Sequence, residues 1–102
     1  MSQSGIESQG AGRYLISGDL DKHTVPVVWQ QARTLLARES DNLCIDLQAV
    51  GRCDSAGVAL LIEWMREAQA RALSISFINL PEQMHAIAKV SGIDSLLPIE
   101  TS

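Results

Sequence analysis

Aromatic side chains are scarce in this chain of 102 residues: two Trp, one Tyr and one Phe make up 4% of it, against a hydrophobic content of 46%. Small and aliphatic residues must therefore fill its core. Basic residues are also few, eight Lys and Arg against twelve Asp and Glu, and they form no cluster. The resulting net charge of −4 argues against nucleic acid and anionic lipid headgroups as partners. Only two cysteines occur, Cys44 and Cys53, with no Cys-x-x-Cys pair and no Cys/His cluster of zinc-site spacing. Both are read as reduced thiols that behave as small hydrophobes, and no metal or other cofactor is expected. Long apolar runs are missing too. The longest, Ala56 to Ile62, falls far short of the ~20 residues that span a bilayer. The N-terminal Met1-Ser2-Gln3-Ser4-Gly5 has neither the basic nor the apolar part of a secretory signal, which predicts a cytoplasmic protein. A chain of this length suits one domain and buries roughly 65% of the surface that its unfolded form exposes, enough for a core without disulfide or metal.

Residues 1–12, rich in Ser, Gln and Gly, lack apolar periodicity and are expected to form a flexible arm or an edge strand, with the folded domain over 13–102. Tyr14-Leu15-Ile16 reads as a strand closing at Ser17-Gly18. Thr24 is placed to cap a helix that has Pro26 in its first turn and Val28, Ala32, Leu35 and Leu36 at helical spacing, ending near Arg38 to Ser40. Leu43, Ile45 and Leu47 alternate with Cys44 and Asp46 and mark a central strand, followed by a polar turn. From Ser55 to about Arg71 a helix is predicted, with Val58, Leu61, Ile62, Met65 and Ala68 as its core face. Ile75 and Phe77 sit in a further strand, and Pro81 opens a helix carrying Met84, Ile87 and Ala88, closed by Gly92. Leu96, Leu97 and Ile99 suit a last strand that Pro98 confines to an edge. Strand and helix patterns alternate, so the fold class is α/β: a small sandwich with a parallel or mixed sheet and helices packed on it.

Two stretches carry the functional information, Ser17-Gly18-Asp19-Leu20-Asp21 and Arg52-Cys53-Asp54-Ser55-Ala56-Gly57. Each falls at a strand-to-helix turn, and such turns gather on one edge of a sheet of this kind, which brings the acidic pair towards Ser55. An enzyme is not indicated. No Gly stands two residues before Ser55, as a hydrolase nucleophile elbow requires, and His23 and His85 are isolated in the sequence. No phosphate-cradling Gly-x-x-x-x-Gly-Lys motif is present, so ATP hydrolysis by this chain alone is not expected. Asp54 or Ser55 equally suits the plain role of helix cap.

On Ser17-Gly18-Asp19-Leu20-Asp21 with Thr24, on Cys44-Ile45-Asp46-Leu47, and on Asp54-Ser55-Ala56-Gly57 followed by Val58-Ala59-Leu60-Leu61, the chain resembles the STAS domain family from about Arg13 to Ile99. The resemblance implies a single STAS-type sandwich acting as a non-enzymatic interaction module. Trp29 and the run Ala59 to Trp64 look more like the cytoplasmic STAS subunit of Mla-type phospholipid ABC transporters, which serve outer-membrane lipid asymmetry, than like the sigma regulators. The implied partner is then the transporter ATPase, and the implied location the inner face of the inner membrane, reached through that partner. The alternative is an anti-sigma-factor antagonist, in which a partner serine kinase phosphorylates the residue matching Ser55. Either way the resemblance assigns docking to Ser55, Asp54, Ala56 and Gly57, with Asp21 and Thr24 beside them. Leu60 and Trp64, stepped 100° per residue away from the Leu61/Met65 face, are expected to add a docking patch, the alternative for Trp64 being a place at the core margin.

Overall fold

The structure is a computed structural model that describes residues 4–38 and 42–100. Its elements run β1 (Gly5–Gly10), β2 (Arg13–Leu20), α1 (Val25–Leu36), β3 (Asn42–Cys53), α2 (Ser55–Ala70), β4 (Ser74–Ile78), α3 (Glu82–Val90) and β5 (Ile99–Glu100). The five strands form one sheet in the order β1-β2-β3-β4-β5, with β1 antiparallel to β2 and the remaining pairs parallel. Each parallel connection carries one helix. Right-handed crossovers in a strand order that never reverses must lay all three helices on the same face, and α2 accordingly touches both α1 and α3.

The register explains the core. Tyr14 pairs with Ile45, Leu43 with Ile75 and Ile45 with Phe77, so the period of two turns these residues, with Leu47, towards the helices. Tyr14, Leu43, Ile45, Leu47 and Phe77 are all buried, and they meet Val28, Ala32 and Leu36 of α1, Val58, Leu61 and Ala68 of α2, and Met84 and Ala88 of α3.

Helix α2 buries more than its sequence pattern indicated. Leu60 and Trp64, expected beside the core face as a docking patch, are 2% and 0% exposed, whereas Ile62 and Met65 are only half-buried. Neither side chain is available as a docking patch; both belong to the core, Trp64 deeper than the margin given as its alternative. The reason is positional: a helix with neighbours on both flanks must bury a wide arc, and an amphipathic pattern does not report those neighbours. Trp64 lies over Phe77, ring centroids 6.4 Å apart at 34°. Its indole Nε1 has no hydrogen-bond partner among the described residues, so apolar packing holds the ring.

Other boundaries differ for local reasons. Of the two alternatives for the N-terminal stretch, Gly5–Gly10 adopt the strand, paired to β2; residues 1–3 lie outside the described chain. The polar turn expected after Leu47 is instead the continuation of β3, where Ala49, Val50 and Cys53 pair with Ser17, Gly18 and Leu20. Register shifts at Leu15/Ser17 and Gly18/Leu20 break the alternation that would have marked it as strand. Helix α1 stops at Leu36, capped by Ala37; Ser40 lies outside the described residues. The last strand keeps only Ile99–Glu100: Leu96 is exposed, and the Pro98 carbonyl accepts from the Phe77 N–H.

On the opposite face of β3, Asp46 is a buried carboxylate. It accepts from Arg13 Nη2 at 3.2 Å, Asn79 Nδ2 at 3.1 Å and the Gln48 N–H at 3.0 Å, so it ties the start of β2 to the end of β4. Burial pushes its pKa up, but the hydrogen bonds from Gln48, Asn79 and Arg13 together outweigh burial and hold the carboxyl below its ordinary value. A group with a depressed folded-state pKa contributes stability above its unfolded value, near 3.9, and loses it as pH falls through the folded value.

Three outcomes follow for urea melts. Trp64→Ala should cost about 3–5 kcal/mol and Leu61→Ala about 2–5 kcal/mol, because each empties a fully buried site. Asp46→Ala should cost about 1–3 kcal/mol at pH 7, and its gap from wild type should close as pH drops below about 4. A Trp64→Ala protein as stable as wild type would contradict the wide buried arc of α2, and a pH-independent Asp46 effect would contradict the anchored carboxylate.

Candidate docking site

Strands β2, β3 and β4 are parallel, so their C-terminal ends and the N-termini of α1, α2 and α3 share one edge of the sheet. There Asp19, Asp21, Arg52, Cys53, Asp54 and Gln83 line a groove of about 310 Å³. A neighbouring groove shares Asp19 and Asp21 and adds Ser4, His23, Thr24, Val27 and Gln31. The topology thus brings the two stretches singled out in the sequence side by side.

Asp54 is the N-cap of α2, its carboxylate accepting from the Ala56 N–H at 2.8 Å. Ser55, the first helical residue, is exposed, and Asp54 spares it the capping role. Gly57, two residues on, is buried against the end of β2: a Cβ there would lie 3.1 Å from Leu20 Cβ and 3.4 Å from Cys53 Cβ. Its missing side chain sets how closely α2 seats on the sheet.

Asp21 organises the other turn. Its Oδ1 accepts from the His23 N–H at 2.8 Å and the Thr24 N–H at 3.0 Å, and these bonds, His23 first, hold the carboxyl below its ordinary pKa. Thr24 stands at the N-cap of α1 but makes no side-chain bond to the helix. Its hydroxyl instead donates to the Asp19 carbonyl at 2.7 Å and accepts from the Asp21 N–H at 3.0 Å. The expected helix cap is therefore a loop clamp, because the upstream turn brings its polar backbone groups within reach first.

The sequence reading missed Gln83 and Gly51. Gln83 reaches the groove from α3, and its Oε1 accepts from the Cys53 N–H at 3.3 Å. At Gly51 a Cβ would lie 2.6 Å from Asp19 Oδ1, which accepts from the Arg52 N–H at 2.9 Å. A glycine inside a strand was the available signal for that close approach. Burial first, then the Asp54 charge, raises the pKa of the Cys53 thiol, which keeps it protonated and unreactive at neutral pH. Three carboxylates and one arginine line this groove, and among the described residues no group of three or more His, Cys, Asp or Glu is arranged to hold a metal ion. Such a rim suits recognition by a partner's polar and basic groups.

Comparison with known proteins agrees with this architecture. The chain is 26% identical over 93 residues to the intermembrane phospholipid transport system binding protein MlaB of Escherichia coli K12, covering 91% of this chain and 93% of that one. It is 21% identical over 85 residues to the anti-sigma-B factor antagonist of Listeria monocytogenes, covering 83% and 75%. Among solved structures, the anti-sigma factor antagonist SpoIIAA in its unphosphorylated form superposes with a TM-score of 0.75 at 20% identity, over 97% of this chain and 87% of that one. An anti-sigma factor antagonist from Mycobacterium paratuberculosis also gives 0.75, at 21% identity over 95% and 83%. The family model described as "Mlab, STAS domain" matches residues 7–98, which hold β2, β3, β4, most of β1 and all three helices, and the chain belongs to that STAS family.

Proposed function

We propose that this chain is a non-enzymatic interaction subunit that docks, through the edge around Ser55, on the ATPase of an Mla-type phospholipid ABC transporter. The observation that carries the reading is Ser55 itself: exposed at the first position of α2, relieved of capping by Asp54, and next in sequence to Asp54, which lines the acidic groove. Ser55, Asp54, Ala56, Asp21 and Thr24 form the contact, and Gly57 shapes it from beneath. The match over residues 7–98 and the likeness to MlaB across nearly the full length of both chains support the transporter branch. No described helix is long and apolar enough to cross a membrane. In this reading the chain reaches the cytoplasmic face of the inner membrane through its partner, as the likeness to MlaB suggests.

A second reading has its own support in the same hydroxyl. A phosphate on Ser55 would meet the positive dipole end of α2, while adding roughly −1.5 to −2 charge to the docking face. That is the chemistry of an anti-sigma-factor antagonist switched off by a serine kinase, and the antagonists similar in sequence and fold favour it.

Substitution of Ser55 by aspartate separates docking from folding. A carboxylate in the first turn of a helix is favourable, so Ser55→Asp should melt no lower than wild type. Its charge must be desolvated beside Asp54 on docking, so titration calorimetry should show ATPase affinity reduced by at least about tenfold, with Ser55→Ala milder. Mass spectrometry after incubation with the serine kinase and Mg-ATP is expected to show no stoichiometric phosphate. One phosphate on wild type and none on Ser55→Ala would establish the second reading, and wild-type affinity of Ser55→Asp for both partners would leave the turn a helix cap only.

A further inference from the structure

We infer that Asp19 and Gln83 are positioning residues of this edge: their side-chain oxygens hold the last amides of β3 and so set where α2 begins and where Ser55 stands. The inference rests on the reading of the Ser55 edge as a docking site. Three consecutive N–H groups lead into α2. The Arg52 N–H donates to Asp19 Oδ1 at 2.9 Å, the Cys53 N–H to Gln83 Oε1 at 3.3 Å, and the Asp54 N–H to the Leu20 carbonyl at 3.1 Å. Only the last acceptor is main chain.

The two side chains stand where the sheet fails to supply a backbone acceptor. Successive N–H groups of a strand with parallel neighbours point to alternate sides. Towards β4, pairing runs from Asn42↔Ser74 to Asp46↔Ile78 and then stops, so β3 projects past its neighbour and the Cys53 N–H finds no strand there. Gln83, the second residue of α3, fills that gap; because the backbone group is a donor, the amide must present Oε1 to it. Towards β2, the register shift between Gly18 and Leu20 opens the ladder opposite Arg52, and the Asp19 carboxylate enters the opening. Gly51 makes room for it, since a Cβ at that position would lie 2.6 Å from Asp19 Oδ1. An amide deprived of its partner here would turn to water, and the segment carrying Asp54 and Ser55 would loosen with it.

Amide hydrogen exchange read by NMR on the full chain tests the positioning without any partner. Gln83→Leu keeps the bulk and removes the acceptor, whereas Gln83→Glu keeps an acceptor oxygen; Asp19→Leu and Asp19→Asn form the matching pair. The Cys53 amide should exchange at least about tenfold faster in Gln83→Leu and near the wild-type rate in Gln83→Glu, and the Arg52 amide should behave likewise in the Asp19 pair. Gln83→Leu should bind the purified transporter ATPase about fivefold or more weakly, consistent with the loss of one hydrogen bond that orders the site. Unchanged exchange at Cys53 and Arg52 would overturn the inference, as would faster exchange with unaltered ATPase affinity. If wild type bound neither the ATPase nor the serine kinase, the docking reading would fail on its own account, and the paired exchange rates would still decide whether Asp19 and Gln83 hold the strand end.

Discussion

The order in which the strands pair governs the rest of this molecule. Parallel crossovers follow a right-handed rule and the strand order never turns back, which places α1, α2 and α3 on a single face of the sheet, as the contacts of α2 with both α1 and α3 agree. The middle helix then has neighbours on both sides as well as the sheet beneath. This is why α2 carries the largest buried side chain, Trp64, and why Leu60 is as deeply buried as Leu61. The same ordering brings every strand-to-helix turn of β2, β3 and β4 to one edge. Core and proposed docking rim are two consequences of one connectivity.

The face without helices is managed by charge rather than by covering. Asp46 projects from the central strand into that face, where an isolated carboxylate would be costly to bury. Arg13, Asn79 and the Gln48 amide surround it, drawn from β2, from the turn after β4 and from β3 itself. Arg13 remains half-exposed while Asp46 does not, so the ion pair is anchored at one end and solvated at the other. The cluster contributes as much to fixing how the three segments meet as to stability, since burying a charge and pairing it largely offset each other.

At the docking edge, most side chains act on the backbone. Asp54 caps α2, Asp21 and Thr24 close the turn before α1, and Asp19 and Gln83 receive the amides at the end of β3. This division leaves Ser55 exposed on a well-held helix end. A hydroxyl so placed has the chemistry both of a packed contact and of a phosphate acceptor, so the two proposed functions make their different demands on one unchanged fold.

Much of this was legible in the sequence, because it depends on short-range periodicity. The alternation Leu43, Ile45, Leu47 announced the central strand, Pro26 and Pro81 the starts of α1 and α3, and Asp54-Ser55 the start of α2. Both stretches that meet at the groove could be named in advance, since turns after parallel strands converge. What the sequence could not decide depends on neighbours distant along the chain. Trp64 and Leu60 looked peripheral because the pattern of one helix contains no record of the helices flanking it. The stretch after Leu47 looked like a turn because register shifts against β2 disrupt the period of two. Thr24 looked like a cap until the Asp19 carbonyl came within reach. Gln83 gave no signal at all, for its role arises where β3 outruns β4, and the length of one strand relative to its neighbour exists only once the sheet has formed.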